Sequence, residues 1–132
     1  MATNIKGSIQ KNHYKTTLTN GRHELIADEP EDVGGTDLGF KPSELLSSAL
    51  ATCTCVTLRM YADRKGWDLE DVQVSIDFEW DNDKKMSYIK RHITLVGKLS
   101  DDEKVRLMGI ADKCPMHKVL SNPIEIITEL ED

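Results

Sequence analysis

Three cysteines are the residues of this sequence best suited to covalent chemistry. They occupy positions 53, 55 and 114 of a chain of 132 residues. A thiolate is both a nucleophile and a metal ligand. Three cysteines are too few, and odd in number, for the disulfide framework of a small secreted protein. We therefore expect a cytoplasmic protein whose thiols are reduced by default, and in which any disulfide is transient and serves chemistry.

Cys114 immediately precedes a proline, Pro115. Because proline is favoured at the first position of a helix, Cys114 is predicted to be the N-cap of a short helix that ends before Asn122-Pro123. A thiol in that place faces unpaired backbone N–H groups, which favour the thiolate. His117 adds a nearby group that can handle a proton. A capping cysteine without chemistry is the alternative that the pattern leaves open.

Cys53 and Cys55 lie in a stretch without glycine or proline, residues 43–65, which predicts a long helix. Two positions along a helix are about 200° apart, so the two thiols point to different faces. A structural role is favoured for Cys55. Cys53 shares its face with mostly apolar residues, so a buried, inert cysteine is also possible there. These neighbours are Leu46, Ala49, Leu50, Val56, Thr57 and Met60.

The length of this helix predicts an assembly of two chains. A helix over 43–65 is about 34 Å long, which exceeds the comfortable width of a globule of this size. It carries few charges before Arg59, so most of its sides should be buried. One small chain can hardly cover such a helix, and a homodimer would share the burial.

The remaining elements predict an α+β fold, with residues 1–132 as a single domain. Short strands occupy the first 27 residues, where Asn20-Gly21 is a hairpin turn signal. Residues 28–42 form a loop rich in Gly, Pro and acidic residues. The other predicted elements are a strand with alternating polarity from Val72 to Trp80, a turn at 81–85, a return strand through Ile89–Leu95, a helix opened by a Ser100/Glu103 capping box, and a last strand at Ile124–Leu130.

The charge balance limits the choice of partners. Seventeen basic and 23 acidic residues give a net charge of −6, which argues against nucleic acid or an anionic membrane surface. No run of 18 apolar residues predicts a membrane span. The N-terminus also lacks the apolar segment of a secretory signal.

Several motifs, in their order and spacing from about residue 20 onward, resemble the OsmC/Ohr superfamily of thiol-dependent hydroperoxide reductases. The similarity is greatest to the OsmC-like branch. The motifs are Asp28-Glu29-Pro30, Gly34-Gly35-Thr36-Asp37-Leu38-Gly39, Pro42-Ser43-Glu44-Leu45-Leu46, the segment from Cys53 to Ala62, Arg64-Lys65-Gly66-Trp67, and Ala111-Asp112-Lys113-Cys114-Pro115-Met116-His117.

The resemblance implies an OsmC-like fold, with antiparallel sheets around a long central helix in an intertwined homodimer. It implies that Cys53 and Cys114 meet in the fold, with Cys53 as the peroxidatic cysteine and Cys114 as the resolving one. The implied substrate is an organic hydroperoxide. The implied reductant is an external dithiol, such as a lipoylated protein, and no cofactor is required.

The groups that would activate Cys53 depart from the pattern of the Ohr branch, which uses an arginine and a glutamate. Glu44 lies nine residues before Cys53, whereas the Ohr spacing of ten falls on Ser43. Glu44 is therefore a candidate supporting residue, and its other role would be to start the helix, where acidic residues are favoured. Arg22 and Arg59 are candidates by proximity, and His117 completes the supporting set.

Two other functions remain open from the sequence. The three cysteines with His117 could suggest a Cys₃His zinc site, although the helical geometry of Cys53 and Cys55 speaks against it. A non-catalytic or ligand-binding dimer that uses the same fold in a stress response is the second alternative.

Overall fold

The computed structural model describes residues 2–131. The chain divides into two compact units, one that ends at Leu46 and one that begins at Ser47. The strands are β1 (Lys6–Ile9), β2 (Thr16–Thr19), β3 (Glu24–Ala27), β4 (Asp68–Asp81) and β5 (Met86–Lys98), and the helices are α1 (Pro42–Lys65), α2 (Asp101–Ala111) and α3 (Pro115–Leu120), with a 3-10 helix at Glu31–Val33. The predicted α+β class, with antiparallel sheets and a long helix, is confirmed.

The first unit contains an antiparallel sheet in the order β1-β2-β3. The predicted turn at Asn20-Gly21 is confirmed, and it joins β2 to β3. The Asn20 side-chain oxygen accepts hydrogen bonds from the N–H groups of Arg22 (2.9 Å) and His23 (2.7 Å). Gly21 adopts a φ of 96°, which glycine tolerates better than any residue with a side chain.

The loop after β3 is organised around the carboxylate of Asp28, which is only 2 % exposed. Thr36 donates to it from its hydroxyl (2.5 Å), and the backbone N–H groups of Tyr14 (3.1 Å), Glu29 (2.7 Å) and Leu38 (3.2 Å) also donate to it. The Thr36 bond contributes most to lowering the pKa of Asp28 well below its usual range, and these backbone bonds add to it against the effect of burial. An ionised side chain therefore holds the loop together.

Two glycines allow the same loop to pass close to the neighbouring backbone. A Cβ atom on Gly35 would collide with the carbonyl oxygen of Glu29, and one on Gly39 would collide with that of Ile26. Side chains at these two positions would force the loop away from its anchor.

The second unit is built on the long hairpin of β4 and β5, which pair antiparallel with Val74 opposite Ile93. The predicted alternation is confirmed from Val72 to Phe78, because Val72, Val74, Ile76 and Phe78 are half-buried while the residues between them are exposed. It ends there, since Trp80 is 53 % exposed. The Asp81 carboxylate begins the turn between β4 and β5, where it accepts hydrogen bonds from the N–H groups of residues 83 and 84.

The core of this unit is mostly aliphatic and lies between α1, α2 and the hairpin. Its buried members are Leu58, Tyr61, Ala62, Leu69, Leu107, Ile110 and Ala111. The capping box predicted at the start of α2 is confirmed, because Ser100 and Glu103 exchange their side-chain and backbone bonds (3.1 and 2.9 Å). α2 is thereby set against α1, and its C-terminal end leads directly into the segment that carries Cys114.

α1 spans 24 residues, so the predicted long helix is confirmed. Its buried residues, Leu50, Thr54, Leu58, Tyr61 and Ala62, lie along one side. Apolar residues of another side, Val56 and Met60, are 44 % and 65 % exposed. By length and composition alone α1 could cross a bilayer, a criterion that the core helix of a water-soluble protein also meets.

The strand predicted at Ile124–Leu130 is wrong for this chain. Residues 123–131 form no helix or strand, and the side chains of Ile124, Ile126, Ile127 and Leu130 are between 61 % and 94 % exposed. A strand requires a neighbour to accept and donate its backbone hydrogen bonds. Within the described residues no strand pairs with this segment, so its apolar pattern remains without a partner.

Asp28→Asn should lower the thermal unfolding midpoint by several degrees at neutral pH, because the loop N–H groups lose a charged acceptor. The folded-state pKa of Asp28 is lowered. Its stabilisation is therefore complete above the unfolded pKa of about 3.9 and decreases as the pH falls below that value. The difference between wild type and variant should accordingly narrow in acid.

Asp37→Asn, in the same loop at an exposed position, is the matched control and should have little effect at either pH. A difference between wild type and Asp28→Asn that stays constant down to pH of about 2 would show that the Asp28 charge does not hold the loop.

Candidate active site

Cys53 lies at the border of the buried side of α1 and is half-buried. Thr57 lies one helical turn further on, and hydrogen bonding by its hydroxyl lowers the pKa of the Cys53 thiol. Hydrogen bonding by the backbone N–H of Met116 lowers this pKa as well. Two polar donors thus converge on a thiol whose other helical neighbours are mostly apolar.

Cys114 is fully buried between α2 and α3, with 0 % exposure. Its predicted place as the N-cap of α3 is confirmed, with Pro115 at the first helical position. The Cys114 N–H donates to the carbonyl of Ala111 (3.3 Å), which ties the cysteine to the end of α2. The backbone of Cys114 is therefore held by the end of α2 on one side and by the start of α3 on the other.

The fold brings Cys53 and Cys114 together. The Cys114 side chain interacts with Cys53 and raises the pKa of its thiol by hydrogen bonding and by charge, and both are free thiols. The two residues are distant in sequence and lie on different elements, so no local pattern could have indicated this contact. Only the family resemblance implied it.

The free N–H group at the start of α3 acts on Cys53 and not on Cys114. The Cys114 side chain makes no capping hydrogen bond, which corrects the expectation that its own thiol faces the helix terminus. Proline at the first position has no N–H, so the N–H of Met116 is the next one available. It is directed at Cys53. The helix terminus therefore favours a thiolate on the opposite cysteine.

The surroundings of Cys53 act on its acidity in both directions. Burial raises the pKa of Cys53 most strongly, and its hydrogen bond and charge interaction with Cys114 raise it further. The Met116 N–H and the Thr57 hydroxyl lower this pKa, but the net direction is upward. In the reduced protein the proton is therefore held more tightly than on a free cysteine.

Cys55 is half-buried and separate from this pair. Its thiol donates to the carbonyl of Val72 on β4 (3.7 Å). Burial raises the pKa of Cys55, and the charge of Asp71 adds to that effect. These surroundings agree with the structural role that its helical position favoured.

Arg91 is a residue of the candidate site that the sequence alone does not single out. Its side chain, 12 % exposed, lies on the inward side of β5 and contacts α1, α2 and α3. A signal was present, because Arg91 occupies the same alternating phase as Ile89, Ile93 and Leu95. A charged residue in the apolar phase of a strand indicates a buried partner.

The four candidate supporting residues have separate surroundings. Glu44 accepts a hydrogen bond from the N–H of Lys41 (3.0 Å), so it starts α1, as its alternative role predicted. Arg22 is exposed in the β2–β3 turn. Arg59 pairs with Asp63 (3.2 Å) on the surface of α1. His117 lies three residues after Cys114, with its Nδ1 atom 3.5 Å from Arg91.

The described residues, 2–131, contain no group of three or more His, Cys, Asp or Glu side chains that could hold a metal ion. The Cys₃His arrangement considered from the sequence is therefore not formed there. Cys55 binds a strand carbonyl while Cys53 contacts Cys114.

Residues 35–129 match the OsmC-like protein family, so this chain belongs to that family. Comparison with curated proteins gives no match. The chain is similar in fold to an OsmC-like protein of Mycoplasma pneumoniae, at 20 % identity and a TM-score of 0.78, over 92 % of this chain and 88 % of the other.

Two further solved structures share the fold. An organic hydroperoxide resistance protein, OsmC, of Legionella pneumophila is 22 % identical, with a TM-score of 0.67 over 91 % of this chain and 89 % of the other. An organic hydroperoxide resistance protein of Bacillus subtilis is 18 % identical, with a TM-score of 0.60 over 90 % of each chain.

Cys114→Ala should lower the pKa of Cys53, because it removes the hydrogen bond and charge interaction that raise it. The Met116 N–H and Thr57 hydroxyl would remain. Alkylation of Cys53 by iodoacetamide, followed across pH by peptide mass spectrometry, should reach its half-maximal rate at a lower pH in the variant.

Cys55→Ser is the control for this experiment, because it leaves the contact of Cys53 with Cys114 in place. Its alkylation profile for Cys53 should match that of wild type. An unchanged or higher midpoint in Cys114→Ala would show that the two thiols do not interact in solution.

Proposed function

We propose that this protein is a thiol-dependent peroxidase that reduces organic hydroperoxides to alcohols. The observation that carries the proposal is the contact between the Cys53 and Cys114 thiols. Membership of the OsmC-like family supports it, as does the shared fold with two organic hydroperoxide resistance proteins.

Cys53 is the better candidate for the attacking cysteine, because it is half-buried while Cys114 is fully buried. The Cys53 thiolate attacks one oxygen of the hydroperoxide, and the O–O bond breaks. The alkoxide takes a proton and leaves as the alcohol. Cys53 is left as a sulfenic acid.

Cys114 then resolves the sulfenic acid. Its sulfur attacks the Cys53 sulfur, a disulfide forms, and the hydroxyl of the sulfenic acid leaves as water. The two thiols supply the two electrons that reduce one hydroperoxide, so the reaction needs no cofactor. An external dithiol, for which a lipoylated protein is our candidate, returns both cysteines to the reduced state by exchange.

The Met116 N–H and the Thr57 hydroxyl are placed to support the attack, because both favour the Cys53 thiolate. Each is a preorganised donor that needs no movement when charge develops on sulfur. Glu44, Arg22, Arg59 and His117 remain proposals for additional activation.

The side of α1 next to Cys53 favours an organic substrate. Val56 and Met60 lie within about 60° of Cys53 around the helix, and both are exposed. Burial of an alkyl chain against such residues gains about 0.8 kcal/mol per methylene, which hydrogen peroxide cannot gain. We therefore propose that organic hydroperoxides are the preferred substrates, in a cytoplasmic protein that responds to oxidative stress.

A homodimer is part of the proposal. The exposed apolar residues of α1 and the unpaired segment at residues 124–130 need covering. A second copy of the chain would supply a matching helix for α1 and an apolar surface for this segment. Within the described residues of one chain, both the apolar residues of α1 and the segment 124–130 stay exposed to solvent.

A ligand-binding dimer is the second candidate function, and one observation favours it. The first unit contains a cavity of about 510 Å³ with mostly apolar walls, which Tyr14, Leu18, Val33 and Leu45 help to line. A cavity of this size can hold a small molecule. Such a protein would lose thiols to peroxide slowly and would not turn over.

The dimer should be stable at micromolar concentration, as measured by sedimentation velocity. Ile126→Asp should weaken it strongly, because it places a charge in the apolar segment 124–130. Glu131→Gln, just beyond this segment, is the control and should sediment as wild type does. A wild-type protein that sediments as a monomer would contradict the assembly.

The cysteine variants should separate the roles of the three thiols in turnover with cumene hydroperoxide and a dithiol. Cys53→Ser should abolish turnover, because a serine hydroxyl without an activating base is a poor nucleophile. Cys114→Ser should consume about one equivalent and then stop, because without the resolving thiol the sulfenic acid of Cys53 persists. Cys55→Ser should turn over at close to the wild-type rate.

If all three variants turn over as wild type does, the peroxidase proposal fails. If Cys55→Ser is the variant that stops after one equivalent, the assignment of the resolving cysteine is wrong. Failure of the wild type to consume peroxide with any dithiol would favour the ligand-binding alternative.

A further inference from the structure

We propose that Arg91 is a positioning residue that holds the Cys114 segment against the Cys53 turn of α1. It would thereby set how readily the two thiols join in a disulfide. The role of Arg91 in peroxide reduction rests on the function proposed above. The positioning itself can be measured without peroxide.

Arg91 is a charged side chain with little access to water. It projects from β5 toward the helices and is 12 % exposed. Burying a guanidinium is costly unless its donors find partners. Its two terminal nitrogens reach all three helices of this unit, and these contacts account for its place in an otherwise apolar phase of the strand.

On the α1 side, Arg91 Nη1 donates to the hydroxyl of Thr54 (3.1 Å). Thr54 is fully buried and adjoins Cys53 in sequence. Its own hydroxyl proton goes to the carbonyl of Leu50 (2.7 Å). The oxygen is therefore free to accept from Arg91, and this bond fixes the guanidinium to the turn of α1 that carries Cys53.

On the other side, Arg91 binds the residues just before Cys114. Nη1 donates to the carbonyl of Ala111 (3.3 Å), and Nη2 donates to the carboxylate of Asp112 (2.9 Å). The Ala111 carbonyl also accepts the N–H of Cys114 (3.3 Å). One carbonyl therefore joins Arg91 to the backbone of the cysteine itself.

The fourth contact of Arg91 lies beyond Cys114, on α3. Arg91 Nη2 is 3.5 Å from Nδ1 of His117. Arginine has donors only, so Nδ1 accepts this hydrogen bond when it carries no proton. The guanidinium thus spans from the residue beside Cys53 to residues before and after Cys114.

A disulfide demands such placement, because its sulfur–sulfur distance and dihedral angle are narrowly defined. Two thiols held near that geometry react far faster than free ones. Lysine could not replace the arginine, because a single ammonium cannot present two nitrogens in a fixed fork to separate acceptors. Loss of Arg91 should therefore lower the effective concentration of Cys114 toward Cys53.

The test measures the Cys53–Cys114 disulfide at equilibrium with reduced and oxidised dithiothreitol, without peroxide. Arg91→Met should lower the effective concentration of the two thiols at least tenfold, and Arg91→Lys should restore little of it. Arg106→Met is the matched control, since Arg106 binds the hydroxyl of Tyr61 (2.9 Å). It should stay within twofold of wild type.

Thr54→Val gives a second reading, because it removes only the α1 anchor and keeps the partners of Arg91 near Cys114. It should lower the effective concentration by a smaller factor, two- to fivefold. If Arg91→Met does not fold, as judged by circular dichroism of the reduced protein, Thr54→Val decides the matter. An effective concentration within twofold of wild type in the folded variant would overturn the proposal.

A parallel arm with cumene hydroperoxide separates this inference from the proposed function. Arg91→Met should form the Cys53 sulfenic acid, trapped with dimedone, at a rate near wild type but convert it to disulfide at least tenfold more slowly. If wild type forms the disulfide with dithiothreitol but consumes no peroxide, the peroxidase proposal fails and the positioning role stands. If Arg106→Met matches Arg91→Met in both arms, the effect is general destabilisation and the positioning role fails.

Discussion

The interaction between the thiols of Cys53 and Cys114 is the one on which the proposed chemistry depends. It joins the middle of a long helix to the link between two shorter ones. α2 packs on α1 through the aliphatic core and leads directly into Cys114. Pro115 then starts α3 and leaves the Met116 N–H to point at Cys53. α2 therefore positions the sulfur of Cys114, and the start of α3 positions a donor for the sulfur of Cys53.

The contact affects the chemistry in two opposite ways. Proximity favours a disulfide once Cys53 is oxidised, but burial and Cys114 raise the pKa of Cys53 while it is reduced. The donors on Cys53, the Met116 N–H and the Thr57 hydroxyl, act against that rise. The raised pKa keeps the proton on Cys53 while the protein is reduced, whereas proximity to Cys114 acts only after Cys53 has been oxidised.

Local patterns were sufficient to predict most elements of the fold. The absence of Gly and Pro predicted α1, the alternation of polarity predicted β4, and Ser100 with Glu103 predicted the start of α2. Contacts between distant residues required more. The meeting of the two cysteines follows only from family resemblance, and the strand pattern alone does not single out Arg91, although it lies in the apolar phase. The strand at 124–130 failed because pairing is a property of two segments and the pattern describes only one.

The most direct measurement of the central claim is a count of free thiols in the wild-type protein before and after one equivalent of cumene hydroperoxide, with the linkage mapped by mass spectrometry. Reaction through Cys53 and Cys114 predicts the rapid loss of two of the three thiols per chain, and a bridge between these two residues that dithiothreitol reverses. Slow loss without a bridge, or a bridge that includes Cys55, would contradict it.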